Sequence, residues 1–166
     1  LSNHMDFNTI DWAHWEPKDI ATLCFIIKDN QILLIHKKRG LGAGKINGPG
    51  GRIEKGETFE QCAIREVQEE LLVTPLNPSH RGTLHFQFTN GYSLRCGVFS
   101  ATDFTGNVTE TDEALPQWFP LHEIPYDKMW SDDQYWLPQM IQGETFVGHF
   151  LFDDDTMLGH KLIFSY

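Results

Sequence analysis

Apolar and polar positions change period several times along the chain, and each change predicts an element. Ala21 to Lys28 is a nearly continuous apolar run and Gln31 to His36 is a second, with the tight-turn pair Asp29-Asn30 between them, which together predict a β-hairpin. Arg39 to Gly51 then carries six Gly and one Pro in thirteen residues, a loop whose backbone is free to approach a ligand closely. From Thr58 the period lengthens: Thr58 can cap a helix running to about Leu72, with Phe59, Ala63, Ile64 and Val67 available to a buried face and Pro75 beyond its end. Arg81 to Thr89, Asn90-Gly91 and Tyr92 to Ala101 predict a second hairpin. Gln117 to Leu121 reads as a short strand, Ser131 as the cap of a helix from Asp132 to Ile141, and Thr145 to Phe152 with Met157 to Phe164 as a terminal strand pair. This order implies an α/β (α+β) layer structure with a mixed sheet.

Length and composition narrow the picture. The 166 residues suit one domain, and 40% hydrophobic with 13% aromatic residues supply a real core. Leu1 to His4 precede the first Met and read as a cloning remnant, residues 5–18 as an arm containing Trp12 and Trp15, and residues 19–166 as a single domain. A net charge of −10 repels long polyanions, so bulk nucleic acid is excluded as a partner. Three separated cysteines suggest neither a disulfide framework nor a zinc site, and a reducing cytoplasm is the expected compartment. No apolar run reaches the roughly 20 residues that span a bilayer. No membrane partner is expected, and a monomer is the favoured state.

The helix beginning at Thr58 is unusually acidic, with Glu57, Glu60, Glu66, Glu69 and Glu70 around a single Arg65. Glu66 and Glu70 are four apart and lie one above the other on a helix, where like charges repel. A solvated acidic face is the ordinary explanation; a hard divalent cation with oxygen ligands is the other. Gly50-Gly51 just upstream and Glu57 eight residues before Arg65 favour the cation.

Gly51, Glu57, Arg65, Glu66, Val67, Glu69 and Glu70 fit the pattern Gly, five residues, Glu, seven residues, Arg-Glu-apolar-x-Glu-Glu, which resembles the signature box of the Nudix family. One departure is Leu72, where that family usually has Gly, so the helix is expected to end without a left-handed glycine cap. KKRGLGAGKINGPGG before the box and MWSDDQYW after it are similar to the MutT-homologue 8-oxo-dGTP diphosphatases within the family. The resemblance implies a Nudix-type mixed β-sheet sandwiched between helices. It implies Mg²⁺, or Mn²⁺, held by Glu66, Glu69 and Glu70 with Gly50 and Glu113 beside them, and Glu57 paired with Arg65 to orient the helix carboxylates. The chemical need is that polyphosphate oxygens are acceptors only, so attack at phosphorus requires cations to neutralise charge and place water.

Lys37, Lys38 and Arg39 are a basic cluster suited to substrate phosphates, or alternatively an edge-strand charge cluster. Asn47 can serve a purine edge or simply a turn before Gly48. By the resemblance, Trp130 stacks on a purine and Asp132 and Asp133 read its edge, with Trp136 nearby; without it, Ser131-Asp132-Asp133 is a favourable helix start and the Trp residues are core. Leu41, Ile46 and Pro49 stand where the family's animal enzymes carry aromatics, implying a wider pocket. The expected activity is hydrolysis of oxidised purine nucleoside triphosphates to monophosphate and pyrophosphate. Another nucleotide substrate (a nucleotide sugar, dinucleotide or RNA 5′ end) and an idle nucleotide-binding module are the alternatives.

Overall fold

A computed structural model describes residues 5–165; the presumed cloning remnant, residues 1–4, lies outside the described residues. The elements in chain order are β1 (Asp19–Lys28), β2 (Gln31–Lys37), β3 (Ile46–Asn47), β4 (Gly50–Arg52), α1 (Phe59–Leu71), β5 (Val73–Pro75), β6 (Ser79–Phe88), β7 (Ser93–Ala101), β8 (Phe104–Gly106), β9 (Ala114–Pro120), α2 (Asp133–Ile141), β10 (Thr145–Asp153) and β11 (Thr156–Ser165). Both hairpins, both helices and the terminal strand pair form as the pattern predicts. In the first hairpin Asp29 (φ 54°) and Asn30 (φ 59°) are both left-handed, the turn that matches strand twist.

The sheet runs β11-β10-β6-β7-β1-β2-β3, with β4 also on β1 and β9 also on β2. β1 with β7 and β6 with β10 are parallel and the other pairs antiparallel. The sheet is therefore mixed, as expected. The apolar runs are continuous because both faces of the central strands are covered. Cys24, Ile26, Leu33 and Ile35 point to the α1 side, where they meet Ala63, Val67 and Leu71. Phe25, Ile32 and Leu34 point the other way, into a core shared with Leu84, Phe150, Trp136 and Leu137.

Thr58 caps α1 as predicted, and the contact is reciprocal: Gln61 N donates to Thr58 Oγ1 at 3.1 Å and Thr58 N to Gln61 Oε1 at 2.9 Å. The other end closes without glycine, as expected, yet keeps the left-handed geometry. Leu72 itself takes the left-handed conformation (φ 60°, ψ 29°), its N–H donating to Gln68 O at 3.0 Å. A Cβ there costs about 1–2 kcal/mol, which the rest of the packing has to offset. Ser131 does not cap α2; Asp132 occupies the cap position without a side-chain cap bond, and Ser131 Oγ is buried without a partner.

The aromatic arm packs on the sheet. His85, Arg95 and His149 are in register across β7, β6 and β10 on the face that α1 only partly covers, and the arm fills the remainder. The His85 and His149 rings stack at 4.5 Å; Trp12 lies 4.8 Å from His149 and Trp15 5.6 Å from His85. Trp15 Nε1 donates to Gln87 Oε1 at 2.8 Å, and His85 is fixed by a 3.0 Å hydrogen bond to Gly148 O.

Burial, then the neighbouring His85 and Lys161, lower the His149 pKa to about 4; burial, opposed by the Gly148 contact, lowers His85, with Arg95 adding to the effect. A base whose folded pKa is depressed binds fewer protons folded than unfolded, so its contribution is present above its ordinary pKa of 6.5 and lost as pH falls toward 4. Wild-type Tm is therefore expected to drop across that window, and His149→Gln to flatten the drop. Parallel pH–Tm slopes for the two proteins would contradict this.

Candidate active site

The acidic residues of α1 divide between two sides of the helix. Arg65 reaches back over the β4 loop with Nε 2.6 Å from Glu57 Oε2 and Nη2 2.9 Å from Glu57 Oε1, a two-pronged pair. Its Nη1 lies 2.7 Å from Glu66 Oε1 and 3.2 Å from both oxygens of Glu69, and Nη2 also donates to Arg52 O at 2.9 Å. The Arg65 hydrogen bonds, helped by the Glu54 N–H, hold the Glu57 carboxyl down at about 2. Glu57 and Arg65 are thus brought together as the resemblance implies, one just before the Thr58 cap and the other about two turns into the helix.

Glu70, and Glu66 while still held by Arg65, line a cleft of about 380 Å³. Glu70 is only 3% exposed, which rules out a solvated acidic face. Burial pushes its pKa to about 8, against the Gly50 N–H that donates to Oε1 at 2.8 Å; the charge of Glu66 raises it further and Lys37 opposes. Glu66 is also raised by burial, with Arg65 pulling it down. Gly51 makes this approach possible, because a Cβ there would lie 2.1 Å from Glu66 Oε2.

The placement of the remaining acids is uneven. Glu113 lines the cleft beside Glu66 and Glu70 and accepts from Arg39 Nη2 at 3.3 Å. Glu69 does not line it, since its carboxylate is turned to Arg65. Among the described residues no three acidic, His or Cys side chains converge as a ready-made metal cage. The donor chemistry nevertheless fits a hard cation: Glu66 and Glu70 are desolvated oxygen donors with too little positive charge around them to hold both ionised comfortably.

Of the basic cluster, Lys37 and Arg39 line the cleft. Lys37 Nζ donates to Leu41 O at 2.6 Å, and burial lowers its pKa against the pull of Glu70, Glu113 and Glu66. Lys38 is directed elsewhere, to Glu110 and to Thr111 O.

The far end of the same cleft is apolar and aromatic. Asn47, Trp130, Asp132 and Asp133 all line it. Asp132 is 1% and Asp133 7% exposed, and Trp136 Nε1 donates to Asp132 Oδ2 at 2.8 Å. Burial raises both carboxyls, Asp132 to about 6 and Asp133 further because the charge of Asp132 adds to burial. Burial and the mutual repulsion of the two carboxyls favour a proton on the pair, which would let one member donate while the other accepts. Asn47 Nδ2 donates to Lys45 O at 3.2 Å. Of the positions expected to widen the pocket, Leu41 lines the cleft, while Ile46 and Pro49 are buried and do not.

Sequence reasoning missed the walls. Leu84, Phe86 and Phe88 of β6, Leu94 and Cys96 of β7, Thr22 and Leu23 of β1, Arg52 and Tyr92 also line the cleft. The period-two alternation of Leu84, Phe86 and Phe88 is the signal that places them on one face.

Displacing Glu66 without touching a carboxylate tests whether the acids act as a metal site. Gly51→Ala is expected to weaken divalent-cation binding roughly 10- to 100-fold by titration calorimetry, as loss of a ligand's support does. Unchanged binding would show that the position of Glu66 is irrelevant to the cation.

Comparison with known proteins places this geometry in a family. The NUDIX domain matches residues 17–140. The chain is 41% identical over 145 residues to the oxidized purine nucleoside triphosphate hydrolase of Danio rerio, covering 86% of this chain and 93% of that one, and 41% identical, with the same coverage, to its counterpart in Mus musculus. In fold it is similar to a MutT protein from Bacillus halodurans (TM-score 0.79, 25% identity, 87% of this chain and 97% of that one). It is also similar to a MutT NUDIX hydrolase from Burkholderia pseudomallei (TM-score 0.61, 30% identity, 67% and 88%). The acidic helix, the mixed sheet and these likenesses agree: the chain belongs to the NUDIX hydrolase family.

Proposed function

We propose that the protein hydrolyses oxidised purine nucleoside triphosphates, such as 8-oxo-dGTP, to the monophosphate and pyrophosphate, and so cleans the nucleotide pool. The observation that carries this reading is the single cleft with two chemically opposite ends: carboxylates and cations at one, aromatic rings and a buried acid pair at the other. A nucleoside triphosphate has the same division, with acceptor-only phosphates at one end and a flat base bearing donors and acceptors at the other. The two 41%-identical relatives, whose names carry this substrate class, support it.

Glu66 and Glu70, with Glu113 beside them, would hold Mg²⁺ or Mn²⁺, and Glu69 would join them on turning from Arg65. The bound cation would neutralise phosphate charge and lower the pKa of water. Lys37 and Arg39 contribute positive charge along the path of the phosphates. Glu57 and Arg65 lie outside the cleft and act by fixing the face that the other acids present. At the base end Trp130 offers its ring for stacking, and Asn47 with the Asp132–Asp133 pair supplies both donors and acceptors to the purine edge.

A hydrolysis screen over normal and oxidised purine and pyrimidine triphosphates, nucleotide sugars and dinucleotides, with products identified, tests the reading. Oxidised purine triphosphates should rank first and give pyrophosphate; a nucleotide sugar or dinucleotide ranking first would replace the substrate assignment. Glu70→Gln should lower kcat by roughly 10²-fold or more for every substrate. Asp133→Ala should instead lower kcat/KM selectively for the best purine by roughly 5- to 150-fold, about 1–3 kcal/mol for one unsatisfied polar group. Equal slowing of all nucleotides by Asp133→Ala would make the acid pair structural.

A further inference from the structure

The glycine-rich loop between β2 and β3 grips the aromatic platform of the cleft from two directions. Gly42 (φ +82°) lies against the edge of the Trp130 indole, where a Cβ would meet Nε1 at 2.7 Å and Asn47 Oδ1 at 3.4 Å. The loop is held in that shape by Gly44 N donating to Lys37 O and Lys45 N to Gly42 O, both at 2.9 Å. Three residues beyond Gly42, the Lys45 ammonium stands 5.4 Å from the centroid of the Trp130 ring. The same ammonium is 3.1 Å from Asp155 Oδ2, in the turn between β10 and β11.

Lys45 does not line the cleft, whereas Trp130 does. Its charge therefore bears on the indole without itself entering the cleft that Trp130 lines. The aromatic contacts of the ring are T-shaped: Phe152 at 5.5 Å and 89°, Phe88 at 6.0 Å and 76°. A cation near the ring adds a directional restraint to this packing, because its attraction falls off as it leaves the ring face. Asp155 pairs with the end of the flexible lysine stem, and the side chain is only 27% exposed despite its length.

We propose that Lys45, anchored by Asp155, is a positioning residue that fixes the orientation of Trp130 and thereby sets how well the cleft discriminates between bases. The proposal rests on the reading of this cleft as a purine nucleotide site. It assigns a lysine of the glycine-rich loop to the base end and not to the phosphates. The β10–β11 turn, distant in sequence from every catalytic acid, becomes part of the specificity apparatus.

The test uses Lys45→Met, which keeps the stem and removes the charge, Lys45→Arg, which restores a cation, and Asp155→Asn. In substrate-free protein, Trp130 emission is isolated as the difference from a Trp130→Phe partner of each variant. Lys45→Met should shift that emission and its quenching by acrylamide, Asp155→Asn should shift it in the same direction, and Lys45→Arg should return it to the wild-type value. In kinetics, Lys45→Met should raise KM for purine triphosphates about 3- to 10-fold, the range of a cation–π contact, with kcat within about twofold and pyrimidine triphosphates affected less. Unchanged Trp130 emission in Lys45→Met, or an equal loss of kcat for all nucleotides, would overturn the proposal. If wild type hydrolyses no purine triphosphate the functional reading fails instead, and the emission measurement still decides whether Lys45 holds the ring.

Discussion

Glu66 and Glu70 sit one helical turn apart on the side of α1 that faces the sheet, and much of the structure follows from what is needed to keep them there. Two carboxylates at that spacing repel by roughly 3 kcal/mol at an effective dielectric near 20, several times what a single favourable surface pair contributes on a helix. Arg65 answers part of this repulsion. Its planar fork engages Glu57 with two bonds and reaches Glu66 and Glu69 with a third nitrogen, a geometry that a lysine cannot reproduce. Glu70 has no such partner; its compensation is the Gly50 N–H and the more distant Lys37, and its raised pKa reports that these are not enough. The acidic helix is thus organised on one flank and left electrostatically short on the other, and the short flank is the one that faces the cleft.

The sheet lets one cleft join two incompatible environments. Strands β1, β6 and β7 contribute residues to its floor, so the distance from Glu70 to the Asp132–Asp133 pair is spanned by regular backbone and not by loops. At the acid end, Gly51 allows the backbone of β4 to lie against Glu66, and the neighbouring Gly50 N–H donates to Glu70. At the base end, Asp132 and Asp133 are shut away from water, Asp132 against the Trp136 indole, and that exclusion of water is what raises their pKa. On the reverse of β6 and β10, the arm residues Trp12 and Trp15 cover a histidine stack, so the strands that form the base pocket are packed on both faces.

Elements with a strong local signal were legible in advance. The two hairpins were readable from paired apolar runs around Asp29-Asn30 and Asn90-Gly91, because a two-residue turn signal and strand period are local properties. The start of α1 was readable for the same reason, through Thr58. Its end was not: a leucine in the left-handed region contradicts local preference, and only packing elsewhere makes it tolerable. The start of α2 was misread at Ser131 because a capping sequence states what a side chain can do, and here Asp132 is turned to Trp136.

Sequence by itself determined the acidic box and its spacing, and that Glu66 and Glu70, four apart on one helix, share a face wherever that helix is placed; the Glu57–Arg65 pairing was implied by the resemblance of the box and is met in the fold because the chain before Thr58 folds back along α1. The continuous apolar runs of β1 and β2 fit a sheet covered on both faces, which the resemblance of the box also implied. Only the tertiary structure decided that Glu70 is dry and Glu69 wet, that Lys37 and Arg39 enter the cleft while Lys38 leaves it, and that Asp132 and Asp133 share a buried pocket with Asn47. It alone brought Lys45 to Trp130 and Asp155. Those outcomes depend on contacts between positions far apart in the chain, and on the desolvation that such contacts impose, neither of which is carried by local composition or period.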